Sequence, residues 1–421
     1  MHIRAIICCI VSLVVAAQSI ATARSIADLK KSYANKQYFE LRDQLKEGGD
    51  DKSVDLLFYR GVVNNKFNRP NLSITYFREY LKQARERSDP EMLIQCYEML
   101  ADDYRKTYQY RRAAETYTAL LTKFAHKLDA SKKSDLENAV KLWRALSNVP
   151  RQTIVMEGDS VIKKDQEGHF PLEINHRKVS FIFDTGANLS VVTSSLAKRL
   201  ALNIIDASIN VLAVAGNTVK ARLAVARSMR IGKADIHNAV FLVFDDKDLY
   251  ISESSFQING LIGFPIIEAL REVAFVHDRE IHISATAANG GEQNMCFDGL
   301  SPLIAGWFKD KRLIFALDTG ATRSTLFPPF YEQYEDMIKT GYQKYSERVR
   351  GVGGYKEIRA YLAKNVVMTF SGKDAHFAQI PILIEHTTDK SHYFYGNLGQ
   401  DLIKQFERMT LNFETMNVVF E

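Results

Sequence analysis

The chain has 421 residues, of which 46% are hydrophobic and 25% are charged, a composition that excludes disorder on a large scale. The length exceeds that of one ordinary core, so we expect two or three domains. The 55 basic and 50 acidic residues give a formal charge of +5. Because this small excess is spread along the chain, we expect no nucleic-acid partner.

The first residues, 1–23, are typical of an export signal peptide. Arg4 supplies a positive charge, a short apolar run follows, and Ala21-Thr22-Ala23 offers a cleavage site. A membrane anchor is the alternative, which the short apolar run disfavours. No later segment is long and apolar enough to span a bilayer. We therefore expect an exported protein, periplasmic or secreted, with no stable membrane anchor.

Beyond this segment the chain contains two cysteines, Cys96 and Cys296. They fall in different predicted domains, and two cysteines do not make a disulfide framework. We expect no disulfide between them, so stability must come from packed cores.

Residues 24–149 are predicted to form a domain of five or six antiparallel helices. Apolar positions recur at three- and four-residue spacing among strong helix formers. Asp89-Pro90-Glu91 is typical of a helix N-terminus. Further breaks are predicted at Gly48-Gly49, Arg69-Pro70-Asn71 and Asp129-Ala130-Ser131.

Small and aromatic residues recur within this helical region. They are Leu100, Ala101, Tyr104, Ala113, Tyr117 and Leu120, with a weaker upstream copy at Leu57, Gly61, Ser73 and Phe77. The spacing resembles that of tetratricopeptide repeats. The copies are 40 residues apart, from Gly61 to Ala101, whereas the repeat is roughly 34 residues long, so an extended helix must intervene. We predict a helical-repeat domain that can bind a protein partner, with an unrelated helical bundle as the alternative.

After Pro150 the sequence becomes rich in β structure. Short runs of valine, isoleucine and phenylalanine alternate with glycine, asparagine and aspartate turns. Residues 286–296 are small and polar and are predicted to be a flexible linker. This linker separates a first β-rich unit, 150–285, from a second, 297–421.

The two β-rich units carry the same motif. The first contains Phe181–Ala187 (FIFDTGA) followed by Ser190, and the second contains Phe315–Ala321 (FALDTGA) followed by Ser324. A lone D-T-G is also a good turn sequence. Two copies in the same context, each at the end of an apolar strand, indicate an internal duplication.

Each copy is followed by the same landmarks. An apolar segment ends in Gly263, 79 residues after Asp184, and in Gly399, 81 residues after Asp318, and each leads into a predicted helix. Between the motif and this landmark, each unit has a glycine-containing turn flanked by strand-like residues. These turns contain Gly216 in the first unit and Gly353 in the second.

These motifs resemble those of retropepsin and pepsin-like aspartic peptidases, and more closely the tandem retropepsin-like proteins of bacteria. The resemblance covers residues from about 155 to 421 and leaves out the helical region. It implies that each β-rich unit is a small β-barrel half, and that two halves related by approximate two-fold symmetry form a bilobal protease. The expected fold class is therefore multidomain, with a helical domain followed by an all-β region.

Carried over by position, the resemblance makes Asp184 and Asp318 the catalytic dyad. Two carboxyl groups at hydrogen-bond distance cannot both ionise, so they share one proton. The ionised member acts as general base on a bound water while the protonated member polarises the scissile carbonyl. Such chemistry on a polypeptide substrate requires no metal and no organic cofactor.

The resemblance also implies residues that support the dyad. These are Thr185, Gly186, Thr319 and Gly320: the threonines would brace the two loops across their interface, and the glycines would permit close backbone approach. Gly216 and Gly353 would lie at the tips of flaps that fold over the substrate, with ordinary hairpin turns as the alternative.

The leading hypothesis is an aspartic endopeptidase whose helical domain is a docking module. A catalytically inactive peptide-binding protein on the same fold is one alternative, and a homodimer in which each half pairs in trans is another. The linker and the matched halves favour pairing within one monomeric chain. Asn188-Leu189-Ser190 would be a glycosylation site beside Asp184 in a eukaryotic secretory pathway, which favours a bacterial export route.

Overall fold

The structure is a computed structural model that describes residues 26–47, 53–84, 89–212, 218–251, 255–277, 279–351 and 354–421. The predicted signal peptide and the two candidate flap glycines, Gly216 and Gly353, lie outside the described residues. The chain divides into two compact units, residues 1–100 and 101–421. This division falls inside the region that the sequence predicts to be one helical domain. In outline, an N-terminal helical region is followed by a β-rich region.

Seven α-helices precede Pro150 in the described part of the chain. They are α1 (26–34), α2 (Tyr38–Glu47), α3 (Val54–Lys66), α4 (Pro70–Gln83), α5 (Pro90–Lys106), α6 (Tyr110–Phe124) and α7 (Ala130–Ala145). Proline at the first position starts α4 and α5, and the Asp129 carboxylate caps α7 by accepting from Lys132 N at 2.8 Å. Over these described ranges, no helix combines the length and the apolar character needed to cross a membrane.

One type of turn closes three of these helices. Lys36, Asn68 and Tyr108 each adopt a left-handed backbone, with φ between 51° and 56°. The next amide then donates to a carbonyl five residues earlier: Gln37 to Ser32, Arg69 to Asn64, and Gln109 to Tyr104, at 2.7–2.8 Å. This is the longer hydrogen bond of a Schellman motif. None of the three positions is glycine. The sequence therefore has no glycine signal for the helix ends at Lys36 and Tyr108.

Within residues 1–100, aromatic packing holds α3 against α4. Phe58, Phe77 and Tyr80 are fully buried, and the rings of Phe77 and Tyr80 lie 6.0 and 5.6 Å from that of Phe58. Phe77 also packs on Gly61, whose carbonyl accepts a hydrogen bond from the Ser73 hydroxyl at 2.8 Å. Three residues of the weaker sequence copy, Gly61, Ser73 and Phe77, are thus in contact between α3 and α4.

The first β-rich unit contains thirteen strands and two short helices in its described residues. The strands are β1 (Thr153–Met156), β2 (Ser160–Lys163), β3 (Phe170–Ile174), β4 (Arg177–Asp184), β5 (Ser190–Thr193), β6 (Asn203–Leu212), β7 (Thr218–Ile231), β8 (Ala234–Phe244), β9 (Tyr250–Ile251), β10 (Phe256–Gln257), β11 (Gly260–Gly263), β12 (Glu272–Val276) and β13 (Glu280–Ile283). The helices are α8 (Ser194–Arg199) and α9 (Phe264–Ala269). Eight strands form a sheet in the order β1-β8-β5-β11-β4-β3-β7-β6, and an additional β7–β8 pairing closes it.

The second β-rich unit repeats this plan. Its strands are β14 (Met295–Asp298), β15 (Ser301–Phe308), β16 (Lys311–Leu317), β17 (Thr325–Leu326), β18 (Gln343–Gly351), β19 (Gly354–Phe370), β20 (Lys373–Leu383), β21 (Gly396–Leu398), β22 (Arg408–Asn412) and β23 (Asn417–Phe420). Its helices are α10 (Pro328–Gln333), α11 (Glu335–Gly341) and α12 (Gln400–Ile403). The sheet order is β14-β15-β16-β21-β17-β20-β19-β18, closed by an additional β15–β19 pairing.

The two closed sheets share one strand order. Six strands form a ring in the first unit, β3-β4-β11-β5-β8-β7, and six corresponding strands form a ring in the second, β15-β16-β21-β17-β20-β19. In each ring the strand that leads into D-T-G lies parallel to the later apolar segment, because β4 pairs with β11 and β16 pairs with β21. Gly263 and Gly399, which follow Asp184 and Asp318 by 79 and 81 residues in the sequence, are therefore close to these aspartates in the sheets.

A five-stranded sheet joins the two β-rich units. Its order is β2-β13-β12-β22-β23, so that β12 of the first unit pairs along its length with β22 of the second. Phe264, Phe297 and Phe413 pack beside it, with ring centroids 5.0 to 6.3 Å apart. The sequence analysis did not anticipate this shared sheet.

The segment predicted to be a flexible linker is held by specific hydrogen bonds. The Ala288 amide donates to Glu272 Oε2 at 2.8 Å, and Asn412 Nδ2 donates to Ala288 O at 2.9 Å. Asn294 is buried and donates from Nδ2 to Val418 O at 2.9 Å. Strand β14 begins at Met295, inside the predicted linker. Asn294 thus binds the backbone of a neighbouring strand through its side chain. The amino-acid composition of the segment does not predict this contact.

Helix α7 covers part of the outer edge of the first sheet. Asn138 accepts from Asn210 N at 3.0 Å and donates from Nδ2 to Asn210 O at 2.8 Å. Since β6 is an edge strand, this side chain satisfies backbone groups that a neighbouring strand would otherwise take.

Cys96 and Cys296 are both buried.

Candidate active site

The two D-T-G-A loops lie at equivalent places in the two rings. Asp184 is the last residue of β4 and is in register with Gly263 of β11. Asp318 directly follows β16, and its amide donates to Leu398 O of β21 at 2.9 Å. Both aspartates are half-buried. Parallel pairing with the glycine-ended strand thus sets the position of each carboxyl group.

Reciprocal threonine hydrogen bonds join the two loops. Thr185 Oγ1 donates to Leu317 O at 2.8 Å and accepts from Thr319 N at 3.0 Å. In the opposite direction, Thr319 Oγ1 donates to Phe183 O at 2.7 Å and accepts from Thr185 N at 3.1 Å. Both side chains are buried, so each bond also satisfies a polar group shielded from water. The four bonds bring the two predicted aspartates together.

Each aspartate is also held by its own loop. Asp184 Oδ1 accepts from Gly186 N at 2.8 Å and from Ala187 N at 3.1 Å. Asp318 Oδ1 accepts from Gly320 N at 3.0 Å and from Ala321 N at 3.1 Å. The second carboxylate oxygen of each residue is thereby left for contacts in the shared site.

Gly186 and Gly320 allow the close approach that this arrangement needs. A Cβ at position 186 would lie 2.6 Å from Asp318 Cγ, and a Cβ at position 320 would collide with the Asp184 carboxyl in the same way. Each glycine therefore faces the carboxyl group of the opposite loop, where no other side chain fits.

The surroundings of Asp184 raise the pKa of its carboxyl group. Burial is the largest effect on Asp184, followed by the negative charge of Asp318 and a hydrogen bond between the two carboxyls, and together they raise its pKa to about 7. The backbone donors Gly186 N and Ala187 N act in the opposite direction without cancelling this effect. A carboxyl group with this pKa stays protonated well above the ordinary range for aspartate, as a general acid requires.

The two loops differ at one position beside the carboxyls. Asn397 of β21 donates from Nδ2 to Asp318 Oδ2 at 3.0 Å. Asn397 is in register with Ala316, two residues before Asp318, and Leu261 is in register with Ile182, two residues before Asp184. Leucine therefore stands in the first unit where asparagine stands in the second. The sequence analysis assigned Asn397 no role, although an amide in an otherwise apolar segment was a visible signal.

A second difference concerns the serines that support the loops. Ser190 Oγ accepts from Gly263 N, and Ser324 Oγ accepts from Gly399 N, both at 3.0 Å. Ser324 also binds a carboxylate, donating from Oγ to Asp401 Oδ1 at 2.6 Å. Gln400 Nε2 further donates to Thr319 O at 2.6 Å. The residue pair after Gly399 thus adds hydrogen bonds that Phe264 and Pro265 cannot make through their side chains.

Apolar clusters lie beneath the hairpins that carry the candidate flap glycines. Under the β6–β7 hairpin the cluster consists of Val191, Val219, Ala221, Phe244, Leu249 and Leu261. Under the β18–β19 hairpin it consists of Phe327, Ile358, Ala360 and Leu383. The first cluster includes Leu261, so apolar surface continues from the hairpin to the strand beside Asp184.

Within the described ranges, no group of three or more histidine, cysteine, aspartate or glutamate side chains is arranged to hold a metal ion.

Comparison with known proteins gives one family match. Residues 170–266 match the family model described as "Aspartyl protease", a segment that contains the first D-T-G-A loop and Gly263. This match supports an aspartic protease in this part of the chain. No curated protein sequence matches the chain.

Two solved structures are similar to parts of this chain. A retropepsin-like aspartic protease from Rickettsia conorii is 20% identical, with a TM-score of 0.21, covering 32% of this chain and 98% of its own. The EIAV protease complexed with the inhibitor HBY-793 is 21% identical, with a TM-score of 0.19, covering 25% of this chain and 86% of its own. Similarities at this level do not by themselves define an activity.

Proposed function

We propose that the chain is an aspartic endopeptidase that hydrolyses polypeptides with a water molecule activated between Asp184 and Asp318. The observation that carries this proposal is the reciprocal bonding of Thr185 and Thr319, which holds two identical D-T-G-A loops face to face. The raised pKa of Asp184 supports it, because one carboxyl must keep a proton while the other is ionised.

The reaction needs only these two carboxyls and water. The ionised aspartate removes a proton from water as its oxygen attacks the peptide carbonyl, and the protonated aspartate donates to the carbonyl oxygen. The resulting gem-diol then loses the amine: the C–N bond breaks, the nitrogen takes the proton gained from water, and a diol hydroxyl returns a proton to the other aspartate. One water is consumed and the dyad regains its starting state.

Pairing of the two β-rich units within one chain is part of the proposal. The threonine bonds and the β12–β22 pairing all form within a single polypeptide, which favours a bilobal monomer over a dimer that pairs in trans. The matched strand order of the two rings supports two halves related by approximate two-fold symmetry.

The remaining parts of the chain receive roles in the same proposal. The helical region, with its repeated Schellman turns, would be a repeat domain of tetratricopeptide type that docks a protein partner or presents the substrate. Gly216 and Gly353 would lie at flap tips above the dyad. The chain would work after export, in the periplasm or outside a bacterial cell, after loss of residues 1–23.

A cleavage assay tests the activity. The chain from residue 24 onward is incubated with a mixed peptide library from pH 3 to pH 8, and products are identified by mass spectrometry. We expect cleavage that falls roughly 10²–10⁴-fold in Asp184→Asn and in Asp318→Asn, with little further loss in the double variant because the two groups act on one bond.

The other hypotheses predict different results. Peptide binding by the wild type without cleavage at any pH would favour a binding protein on this fold. Recovery of activity on mixing the two single variants would favour pairing in trans. Loss of cleavage in only one of the two variants would mean that the loops act separately.

A further inference from the structure

The two carboxyls of the candidate dyad receive unequal numbers of hydrogen bonds. Asp184 accepts two backbone bonds, both at Oδ1. Asp318 accepts the same two from its own loop and a third at Oδ2, from the side chain of Asn397. Since the backbone bonds to the two carboxyls otherwise match, this amide is the difference in the hydrogen bonds that the carboxyls themselves accept.

Position determines which carboxyl receives the amide. Asn397 and Leu261 occupy equivalent registers on β21 and β11, each beside the residue two before the aspartate. Leu261 is 8% exposed and belongs to the apolar cluster under the first hairpin. The leucine side chain has no hydrogen-bond donor. The first closed sheet therefore has an apolar group at the position where the second has the side-chain N–H group of Asn397.

A hydrogen bond donated to a carboxylate stabilises the ionised form. The effect is larger away from bulk water, and bonds to charged groups are stronger than bonds between neutral ones. In a pair that holds a single proton, the negative charge therefore settles on the member with the additional donor, and the proton stays on the other.

We propose that Asn397 is a positioning residue that keeps Asp318 ionised and the shared proton on Asp184, so that Asp318 acts as the base and Asp184 as the acid in each turnover. This inference rests on the proposed peptidase function. It assigns a direction to the site: the attacking water lies toward Asp318 Oδ2, and the peptide carbonyl oxygen accepts from Asp184.

The surroundings of the pair agree with this assignment. Asp318 is faced by the Asp184 carboxyl from the end of β4, by the backbone at Gly186, and by Asn397 from β21. The charge that acts on Asp184 is that of Asp318, and burial with that charge raises the pKa of Asp184. A proton held on Asp184 and a charge on Asp318 follow from the same contacts.

The test exchanges the two residues. Asn397→Leu gives the second unit the residue of the first, Leu261→Asn does the reverse, and the double variant moves the amide from Asp318 toward Asp184. Two readouts are recorded for each: the pH profile of kcat/KM on a cleaved peptide, and a carboxyl ¹³C NMR titration of the aspartates, which needs no turnover. Thermal unfolding shows whether each variant is folded.

We expect Asn397→Leu to move the acidic limb of the profile, and the first NMR titration step, upward by roughly one pH unit, the scale set by loss of one hydrogen bond to a charged group. At a pH below that limb, this shift means a roughly tenfold loss of kcat/KM. The double variant should return the limb toward its wild-type position, with the ionised carboxyl now assigned by NMR to Asp184.

An isosteric substitution distinguishes loss of the hydrogen bond from loss of packing at this position. Asn397→Asp keeps the side-chain shape but replaces the donor with an acidic group, so it should raise the first titration step at least as far as Asn397→Leu. Unshifted titration in both folded variants would overturn the role of Asn397 while leaving the peptidase proposal intact. A wild type that shows the expected NMR titration but no cleavage would overturn the peptidase and keep the proton assignment.

Discussion

The two D-T-G-A loops have nearly the same sequence but are supported by different neighbours. Both carboxyls accept two bonds from their own backbone, and both threonines bridge to the opposite loop. In the first β-rich unit, Phe264 and Pro265 follow Gly263. The ring of Phe264 is buried in the core between the two β-rich units. Around the second loop, Gln400, Asp401 and Asn397 bind the loop through side-chain hydrogen bonds.

This comparison distinguishes two requirements of a site built from two copies of one motif: the carboxyls must be brought together, and they must differ from each other. The shared motif brings the carboxyls together, and that task is symmetric because each loop needs the same backbone geometry. Acid and base roles require the two carboxyls to differ, and a repeat of identical parts does not supply that. In the proposed mechanism, the side-chain hydrogen bonds of Asn397, Gln400 and Asp401 around the second loop supply this asymmetry.

The largest expected effect tests the symmetric part. Gly186→Ala and Gly320→Ala should each lower kcat/KM roughly 100-fold or more, because each new Cβ would push the opposite carboxyl out of place. Peptide cleavage measures the loss. Gly341→Ala is the matched control, since nothing lies within 4 Å of a Cβ there, and it should keep full activity. Wild-type rates in either loop variant would show that the loops do not approach so closely.

The pH dependence of stability tests the raised pKa of Asp184. The pKa of Asp184 is raised from 3.8 to about 7 in the folded chain, so the folded state holds this proton more tightly than the unfolded state. The associated stability is fully present below about pH 4 and is lost as the pH rises through about 7. Urea unfolding from pH 4 to pH 8 should show this decline, and Asp184→Asn should flatten it. An unchanged slope in that variant would assign the decline to other groups.

The smallest expected effect compares the serines behind the loops. Ser190→Ala and Ser324→Ala each leave a buried glycine amide without its acceptor, at a cost of about 1–3 kcal/mol in the free energy of unfolding. Ser324→Ala also removes a donor to Asp401, so it should cost about 1 kcal/mol more. Urea unfolding at one pH measures both. Equal losses would mean that Asp401 adds no stability to the second loop.

Several features of the fold were predictable because they depend on local patterns. Helical periodicity and the change of composition after Pro150 indicated the helical and β-rich regions, and prolines at the starts of α4 and α5 marked real boundaries. The turns at Lys36 and Tyr108 were missed because these residues adopt left-handed backbone without being glycine.

Distant contacts were harder to foresee. The pairing of β12 with β22 joins residues about 140 positions apart, and no periodicity reports which strand edges will meet. The predicted linker, residues 286–296, also forms contacts with distant residues. Its asparagines and small residues have a loop-like composition, yet Asn294 and Ala288 bind the backbone and side chains of strands that arrive later in the chain.

The sequence by itself determined that two identical acidic motifs exist, each at the end of an apolar strand and each followed by the same glycine-ended segment. Repetition is visible in a linear string, and so is the chemistry of an aspartate pair. Only the tertiary structure decided that the loops face each other through Thr185 and Thr319, and that Asn397 reaches Asp318 while Leu261 stands beside Asp184. These contacts depend on strand register, which sets side-chain distances between residues far apart in sequence.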